Sequence, residues 1–454
     1  MTGNLTMTAL ADAAEAGEID TVLTCVVDMQ GRLMGKRFHV RHFLDAAHEE
    51  THGCDYLLAT DVEMSTVPGY ASASWEKGYG DYVHKPDLAT LRRVPWLPGT
   101  AMVMCDFLDH HSHGEVAVAP RSILKRQVER ARAMGFEPAM ATELEFFLFQ
   151  EGFDALRDGQ YNRLQPLGRY NLDYAIMGTT KEEAVMRAIR NGLYGAGVPV
   201  ENTKGEAEAG QEEINIRYDG AIATADNHSF VKNAVKEIAF AHGHAATFMA
   251  KYATDRAGSS SHIHQSLAGA DGPAFYDPSA PHGMSATMRH YLAGLLTHAD
   301  AITLALAPYV NSYKRFTVGL FAPTRAVWST DNRTAGFRVC GIRTPGVRVE
   351  CRIGGADLNP YIALAAQLAA GLDGIDRGLA LEPETSGDVY QAAEAREIPK
   401  TLRAAADAFE SSDMLRAAFG GEVVDHYTRA ARWEIEESDR VVTDWDVMRG
   451  FERA

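Results

Sequence analysis

Glu143 and Glu145 stand two positions apart at the head of an apolar run that ends at Phe149. On a β-strand such positions share a face, so both carboxylates would project from one side of a half-buried sheet. Two like charges there repel and are costly to desolvate, unless a divalent cation that favours hard oxygen ligands, Mg²⁺ or Mn²⁺, sits beside them. An isolated Glu-x-Glu is more often a strand end facing solvent, so partners elsewhere in the chain decide between the two.

Three further clusters supply candidate partners. Glu206 and Glu213 flank a bend that Gly210 permits, His262 and His264 share one face of a strand pattern, and Arg348, Glu350 and Arg352 share one side of a charge–apolar alternation. Singly each is weak, since a His pair is commonly structural and a Glu-rich loop commonly solvated. Together they suffice for two oxygen-rich metal sites roughly 4 Å or somewhat more apart, as in a phosphoryl-transfer enzyme. Arginines also recur at Arg315, Arg333 and Arg338. Guanidinium groups hold carboxylate and phosphate oxygens bidentately and stay charged at any working pH, so an anionic, phosphate-bearing substrate is implied. No G-x-x-x-x-G-K-[ST] loop is present, which excludes a P-loop nucleotide site at the motif level.

The elements that must carry these residues read as α+β. Strands are expected over 21–28, 33–40 and 100–107, separated by a long Gly- and Pro-punctuated stretch. A helix opens at Pro120 and ends at Gly135; Thr180-x-x-Glu183 reads as the capping box of another, which Gly192, Gly195 and Gly197 terminate. Further helices are expected over 229–247, 284–306 with Pro308 as breaker, 359–379, and at least twice near the C-terminus. Asp109-His-His-Ser-His113 reads as a solvated turn.

A chain of 454 residues fits two unequal domains, and a net charge of −17 argues against a nucleic-acid partner. Five scattered cysteines without a C-x-x-C pair fit a reducing compartment and give no disulfide framework or thiolate zinc site. The N-terminus lacks a basic and apolar signal, and the apolar run at 362–371 contains Gln367 and is too short for a bilayer. A cytoplasmic protein with no membrane partner is expected.

Taken in chain order, these motifs resemble the glutamine synthetase family of ATP-dependent carboxylate–amine ligases. The resemblance runs from Asp28-Met-Gln-Gly-Arg-Leu-Met-Gly35 through Glu143-Leu-Glu145, residues 206–213, His262-Ile-His264-Gln-Ser266, Asn311-Ser-Tyr-Lys-Arg315, Asn332-Arg333 and residues 348–352 to Asn359-Pro360-Tyr361. It implies an N-terminal β-grasp domain, residues 1–112, and a glutamine synthetase catalytic α/β domain, residues 113–454. It also implies a homo-oligomer, a dodecamer of two hexameric rings with active sites between subunits. Carried over residue by residue, Glu145, Glu206 and Glu213 would hold one metal ion and Glu143, His262 and Glu350 another, giving two or more Mg²⁺ (or Mn²⁺) per site. His264, Ser266, Arg338 and Arg348 match positions near ATP; Arg315 and Gly258 match glutamate-binding positions. Arg333, Arg338 and Arg352 match those that hold the transferring phosphoryl group and the glutamate γ-carboxyl.

The chain departs from the family pattern at the amine. Ammonia-using members carry G-x-E-A-P after N-S-Y-K-R, and its glutamate helps bind and deprotonate ammonium; here the segment is Gly319-Leu-Phe-Ala-Pro323. Phe321 cannot accept a proton, though it can pack against an alkyl substituent. The F-D-G-S-S segment is also absent, Lys204-Gly205 replaces a His-His, and Ala257 replaces an asparagine. The resemblance therefore implies a ligase that joins the γ-carboxylate of glutamate to an organic amine, with a small monoamine such as ethanolamine favoured and a polyamine left open. One rival is an ammonia-using glutamine synthetase whose carboxylate comes from Asp61 or Glu63. The other is a non-catalytic relative, which loss of metal ligands would mark; none is lost. Tyr390 lacks the pattern around an adenylylated tyrosine.

Overall fold

A computed structural model of the chain describes residues 3–392 and 394–454. Two sheets organise it. The first runs Leu33–His39, Thr21–Val27, Thr100–Asp109, Asp81–Pro86, Thr51–Cys54, with Arg92–Arg93 also on Thr100–Asp109. Thr21–Val27 lies parallel to Thr100–Asp109, and the remaining pairs are antiparallel. The turn between the first two strands is tied by Asp28, whose carboxylate accepts from the Gln30 and Arg32 amides and from Arg32 Nε at 2.7 Å. Gly31 completes it at φ 79°, where a Cβ would press Asn359 and Pro360 at 3.1 Å.

The second sheet has ten strands. Its main path is Trp328–Thr330, Phe337–Cys340, Arg348–Cys351, Ile263–Gly269, Glu137–Phe149, Gln211–Ile216, Val200–Gly205, and Glu137–Phe149 is its longest strand. Helices cover it. Pro360–Asp376, buried along almost all of its length, packs against Ala286–Thr297 and Pro120–Ala133. The approach depends on small residues: a Cβ on Gly374 would lie 2.2 Å from the His290 carbonyl oxygen. This is the apolar run at 362–371, here a core helix; among the described residues no helix is long and apolar enough to cross a membrane.

Buried polar ties join the first sheet to the helices beside the second. Arg121, near the start of Pro120–Ala133, donates to Asp87 and Asp106 at 2.7 Å each and to both oxygens of Asp226 at 3.1 Å. Ser229 Oγ donates to the Gly31 carbonyl at 3.0 Å, and Asn359 Nδ2 to the Met29 carbonyl at 2.9 Å.

Some elements differ from the sequence reading. The helix expected from residue 229 is Ala221–Ala241, begun eight residues earlier by a small and polar first half without apolar periodicity that tertiary burial holds. Thr180 forms no capping box. It closes the preceding turn, its hydroxyl donating to the Ile176 carbonyl at 2.8 Å, and the next helix, Glu183–Gly195, starts at Glu182 with no side-chain cap. The stretch 284–306 divides into Ala286–Thr297 and Ala299–Leu306 at His298, ahead of Pro308. Residues 109–113 form the exposed turn expected, its Asp109 side chain accepting from Ser112.

Candidate active site

Strand register sets the site. Glu145 pairs with Glu213 and Glu213 with Lys204; Ala141 pairs with His264, His264 with Glu350, and Glu350 with Arg338. Directly paired and alternate residues share a face. Glu143, Glu145, Glu213, Lys204, His262, His264, Glu350, Arg338, Arg348 and Arg352 therefore emerge on one side of the sheet. Glu206 joins them from the turn after Val200–Gly205. Gly210 in that turn has φ 69°, and a Cβ there would meet Pro166 and backbone atoms at 2.8–3.0 Å.

Two ligand groups form. Atoms of Glu145, Glu206 and Glu213 come within 4.8 Å of one another, and so do atoms of Glu143, His264 and Glu350. In the first group burial, together with the charges of Glu143, Glu206 and Glu145, pushes the Glu213 carboxyl up to about 8. Burial also raises Glu145, whose Oε2 accepts from the Ser260 amide at 2.7 Å. Glu206 goes the other way, because its ion pair with Lys204 outweighs burial. In the second group burial opposes ionisation of Glu143, but hydrogen bonds from His262 Nδ1 at 2.8 Å and His264 Nε2 at 2.7 Å hold it far below the carboxylate range. Arg348 Nε donates to His264 Nδ1 at 3.1 Å, which fixes the ring. Glu350 is held down to about 2 despite burial, chiefly by Arg352, and Arg338 donates to it at 3.0 Å.

Carboxylates crowded enough to raise one another's pKa, with no lysine or arginine in a salt bridge to Glu145 or Glu213 among the described residues, fit hard divalent cations. Among the described residues the buried His262 Nε2 has no hydrogen-bond partner. Mg²⁺ or Mn²⁺ would be held by Glu145, Glu206 and Glu213 on one side and by Glu143, Glu350 and an imidazole on the other. The atoms that meet Glu143 and Glu350 within 4.8 Å are those of His264, whereas His262 reaches Glu143 at 2.8 Å and Glu350 at 3.6 Å.

Two cavities flank the strand Glu137–Phe149. One, of about 420 Å³, is lined by Glu145, Glu206, Glu213, Gly258, Phe321, Arg333, Arg338 and Arg352. The other, of about 620 Å³, is lined by His264, Ser266, Arg348, Asn202 and Tyr218, and Glu143 borders both. Arg315 does not line either one: it is buried behind the wall, donating to the Arg352, Ile353 and Gly354 carbonyls, and leaves no room for a side chain at Gly258. Phe321 is 55% exposed with φ 52°, on a loop that Gly319 also turns through positive φ. Asp61 is tied within its own chain, accepting from the Glu63 and Ser65 amides and from Trp433 Nε1 at 3.0 Å.

Asp173, Tyr174, Lys204 and Gln211 also line the first cavity and are absent from the sequence-derived set. Gln211 Nε2 donates to the Gly258 carbonyl at 3.0 Å. Lys204 was legible as a departure from the His-His pattern; Asp173 and Tyr174 lie where the sequence has no periodicity.

On the opposite face of the strand Gln211–Ile216, Glu212 is buried against Glu182, and burial with that contact pushes it up to about 10. A folded-state pKa above the unfolded value near 4.5 means that stability falls as pH rises between the two, by at most about 1.4 kcal/mol per unit. Glu212→Gln should flatten that slope. Urea denaturation midpoints at pH 6 and pH 8.5 should converge in the variant, and an unchanged slope would show that Glu212 is ionised in the native state.

Comparison with known proteins agrees with this geometry. A family profile described as "Glutamine synthetase, catalytic domain" matches residues 117–449. Gamma-glutamylethanolamide synthetase GlnA4 of Streptomyces coelicolor is 48% identical over 439 residues, 96% of this chain and 94% of that protein. Glutamate–isopropylamine ligase of a Pseudomonas species is 36% identical over 443 residues, 96% of each. Glutamine synthetase of Thermus thermophilus is 36% identical over 380 residues, 82% of this chain and 83% of that protein. A solved structure described as "Apo GmaS without ligand" superposes with a TM-score of 0.85 at 28% identity, covering 98% of this chain and 100% of that one. With its motifs ordered along one sheet face and these relatives spanning nearly its full length, the chain belongs to the glutamine synthetase family and has its α+β fold.

Proposed function

We propose that the chain is an ATP-dependent ligase that joins the γ-carboxylate of glutamate to an organic amine, with a small monoamine such as ethanolamine as the preferred acceptor. The observation that carries this is Phe321, which lines the same cavity as the carboxylate group and three arginines. The names of the Streptomyces and Pseudomonas relatives, an ethanolamide synthetase and an isopropylamine ligase, support it.

Two transfers make up the reaction. A γ-carboxylate oxygen of glutamate attacks the γ-phosphorus of ATP, the bond to ADP breaks, and γ-glutamyl phosphate forms. The amine nitrogen then attacks the acyl carbon, phosphate leaves and the nitrogen loses a proton. ATP occupies the 620 Å³ cavity against Ser266, His264 and Arg348, and glutamate the 420 Å³ cavity, so that the strand bearing Glu143 and Glu145 divides the two. Bound divalent cations would neutralise phosphate charge and stabilise the charge that develops during transfer. Arg338 and Arg352 are held in place by the ionised Glu350, and with Arg333 they present guanidinium groups to the phosphoryl oxygens. Arg315 acts from behind the wall as a positioning residue for the 352–354 backbone. Phe321 offers the incoming amine an apolar wall in place of a carboxylate.

We assign residues 1–112 to a β-grasp domain and 113–454 to the catalytic domain. The chain assembles in the cytoplasm as a homo-oligomer, a dodecamer of two hexameric rings with sites between subunits. Phe321→Glu tests the acceptor reading. It should raise kcat/KM for ammonium at least about tenfold and lower that for ethanolamine, followed as phosphate release. Unchanged ammonium activity in a folded variant would remove Phe321 from the acceptor site.

A further inference from the structure

We propose that Lys204 restricts the acceptor pocket to amines with a single positive charge, because its ammonium group fills the place where the second ammonium of a diamine or polyamine would bind. The inference rests on the amine-ligase reading and specifies the substrate class of that site.

Six carboxylates line the 420 Å³ cavity: Glu143, Glu145, Glu206, Glu213, Glu350 and Asp173. The first five belong to the two candidate metal groups, which leaves Asp173 as the remaining acid for a cationic substrate tail. Lys204 already occupies it. Its Nζ lies 3.2 Å from Asp173 Oδ1, is ion-paired with Glu206, and stands 4.5 Å from the centre of the Tyr174 ring. A carboxylate and an aromatic face are the two features that recognise an alkylammonium group. Both are engaged by a cation from this chain, with only 17% of its side chain exposed. Register fixes this position, since Lys204 pairs directly with Glu213 and so shares the face of the ligand groups. When Glu206 turns to a divalent cation, Asp173 and Tyr174 remain as the partners of Lys204. What then faces an incoming amine is an apolar wall at Leu320 and Phe321 and a fixed positive charge opposed by one acid. An alkyl or hydroxyalkyl tail fits that wall; a second ammonium meets a like charge.

The test compares acceptors of equal length on the intact enzyme: butylamine, 4-amino-1-butanol and 1,4-diaminobutane. The wild-type protein should favour the two monoamines over the diamine by at least about tenfold in kcat/KM, equal to about 1.4 kcal/mol. Lys204→Met should raise the diamine-to-butylamine ratio at least tenfold, chiefly through KM for the diamine, and Lys204→Arg should keep the wild-type ratio. Asp173→Asn added to Lys204→Met should cancel the gain. A ratio is internal to each variant, so losses in folding or metal affinity cancel from it. Equal use of diamine and butylamine by the wild-type enzyme, or the same ratio in Lys204→Met and wild type, would overturn the proposal while leaving the ligase reading intact. Formation of glutamine alone, with no organic amine used, would overturn both.

Discussion

Glu213→Gln is expected to lower ligase turnover by about 10³-fold and, in the same protein, to raise thermal stability when metal is chelated. Both effects come from one carboxylate. Burial and the neighbouring Glu143, Glu206 and Glu145 push Glu213 up to about 8, well above its unfolded value near 4.5. Without metal, the native state must therefore hold a proton or tolerate crowded charge, and it loses stability as pH rises from about 4.5 through 8. Glutamine removes that cost. A bound cation reverses the sign, because binding to the native state adds about 2.7 kcal/mol at a hundredfold excess over Kd, and the variant lacks one anionic ligand. Several kcal/mol of lost charge stabilisation in the transferring phosphoryl group corresponds to the 10³-fold fall in rate. Thermal midpoints at pH 7.5 should rank the variant above wild type in EDTA and below it in Mg²⁺. A variant less stable than wild type in both buffers, or fully active, would show that Glu213 is structural.

Arg121→Met should be the most damaging single change away from the site, costing about 3–5 kcal/mol of unfolding free energy. Arg121 is 5% exposed and joins Asp106 of the first sheet, and Asp87 just beyond the strand Asp81–Pro86, to Asp226 of the helix Ala221–Ala241, where Tyr361 also donates to Asp226 at 2.6 Å. Methionine keeps most of the volume but leaves the buried carboxylate of Asp226, 1% exposed, without its guanidinium. Lysine, a point charge without the fork, cannot reach all three. The contrast is Arg132, whose pair with Glu137 at 2.7 Å is about half exposed on both sides, so that Arg132→Ala should cost at most about 1 kcal/mol. Urea denaturation of both variants checks the difference; comparable small losses would mean that the buried network contributes little to the junction.

The parts of this architecture that a period of two dictates were legible in the sequence. Glu143 with Glu145, His262 with His264, and Arg348 with Glu350 and Arg352 each declare a common face, and the order of these motifs along the chain carried the family resemblance. What depends on register between distant strands was not legible. Nothing local says that Lys204 lies opposite Glu213, or that Ala141 and Glu350 flank His264. The period of two puts His262 and His264 on one face, and the structure brings both to Glu143, at 2.8 and 2.7 Å. Arg315 carried a family signature, and only register and packing reveal that its Nη2 donates to the carbonyls of residues 352–354 behind the cavity. Arg121 and Asp226 lie 105 positions apart, each in a polar segment of its helix, and no local pattern joins them.

In the proposed function a rebuilt acceptor pocket, beside a retained set of metal and phosphate ligands, directs glutamate to an organic amine. Incubation of the wild-type enzyme with ATP, Mg²⁺, glutamate and equal concentrations of ammonium and ethanolamine, with products separated by mass, tests it most directly. γ-Glutamylethanolamide should be the dominant product, formed one for one with released phosphate; glutamine as the dominant product would overturn the organic-amine reading.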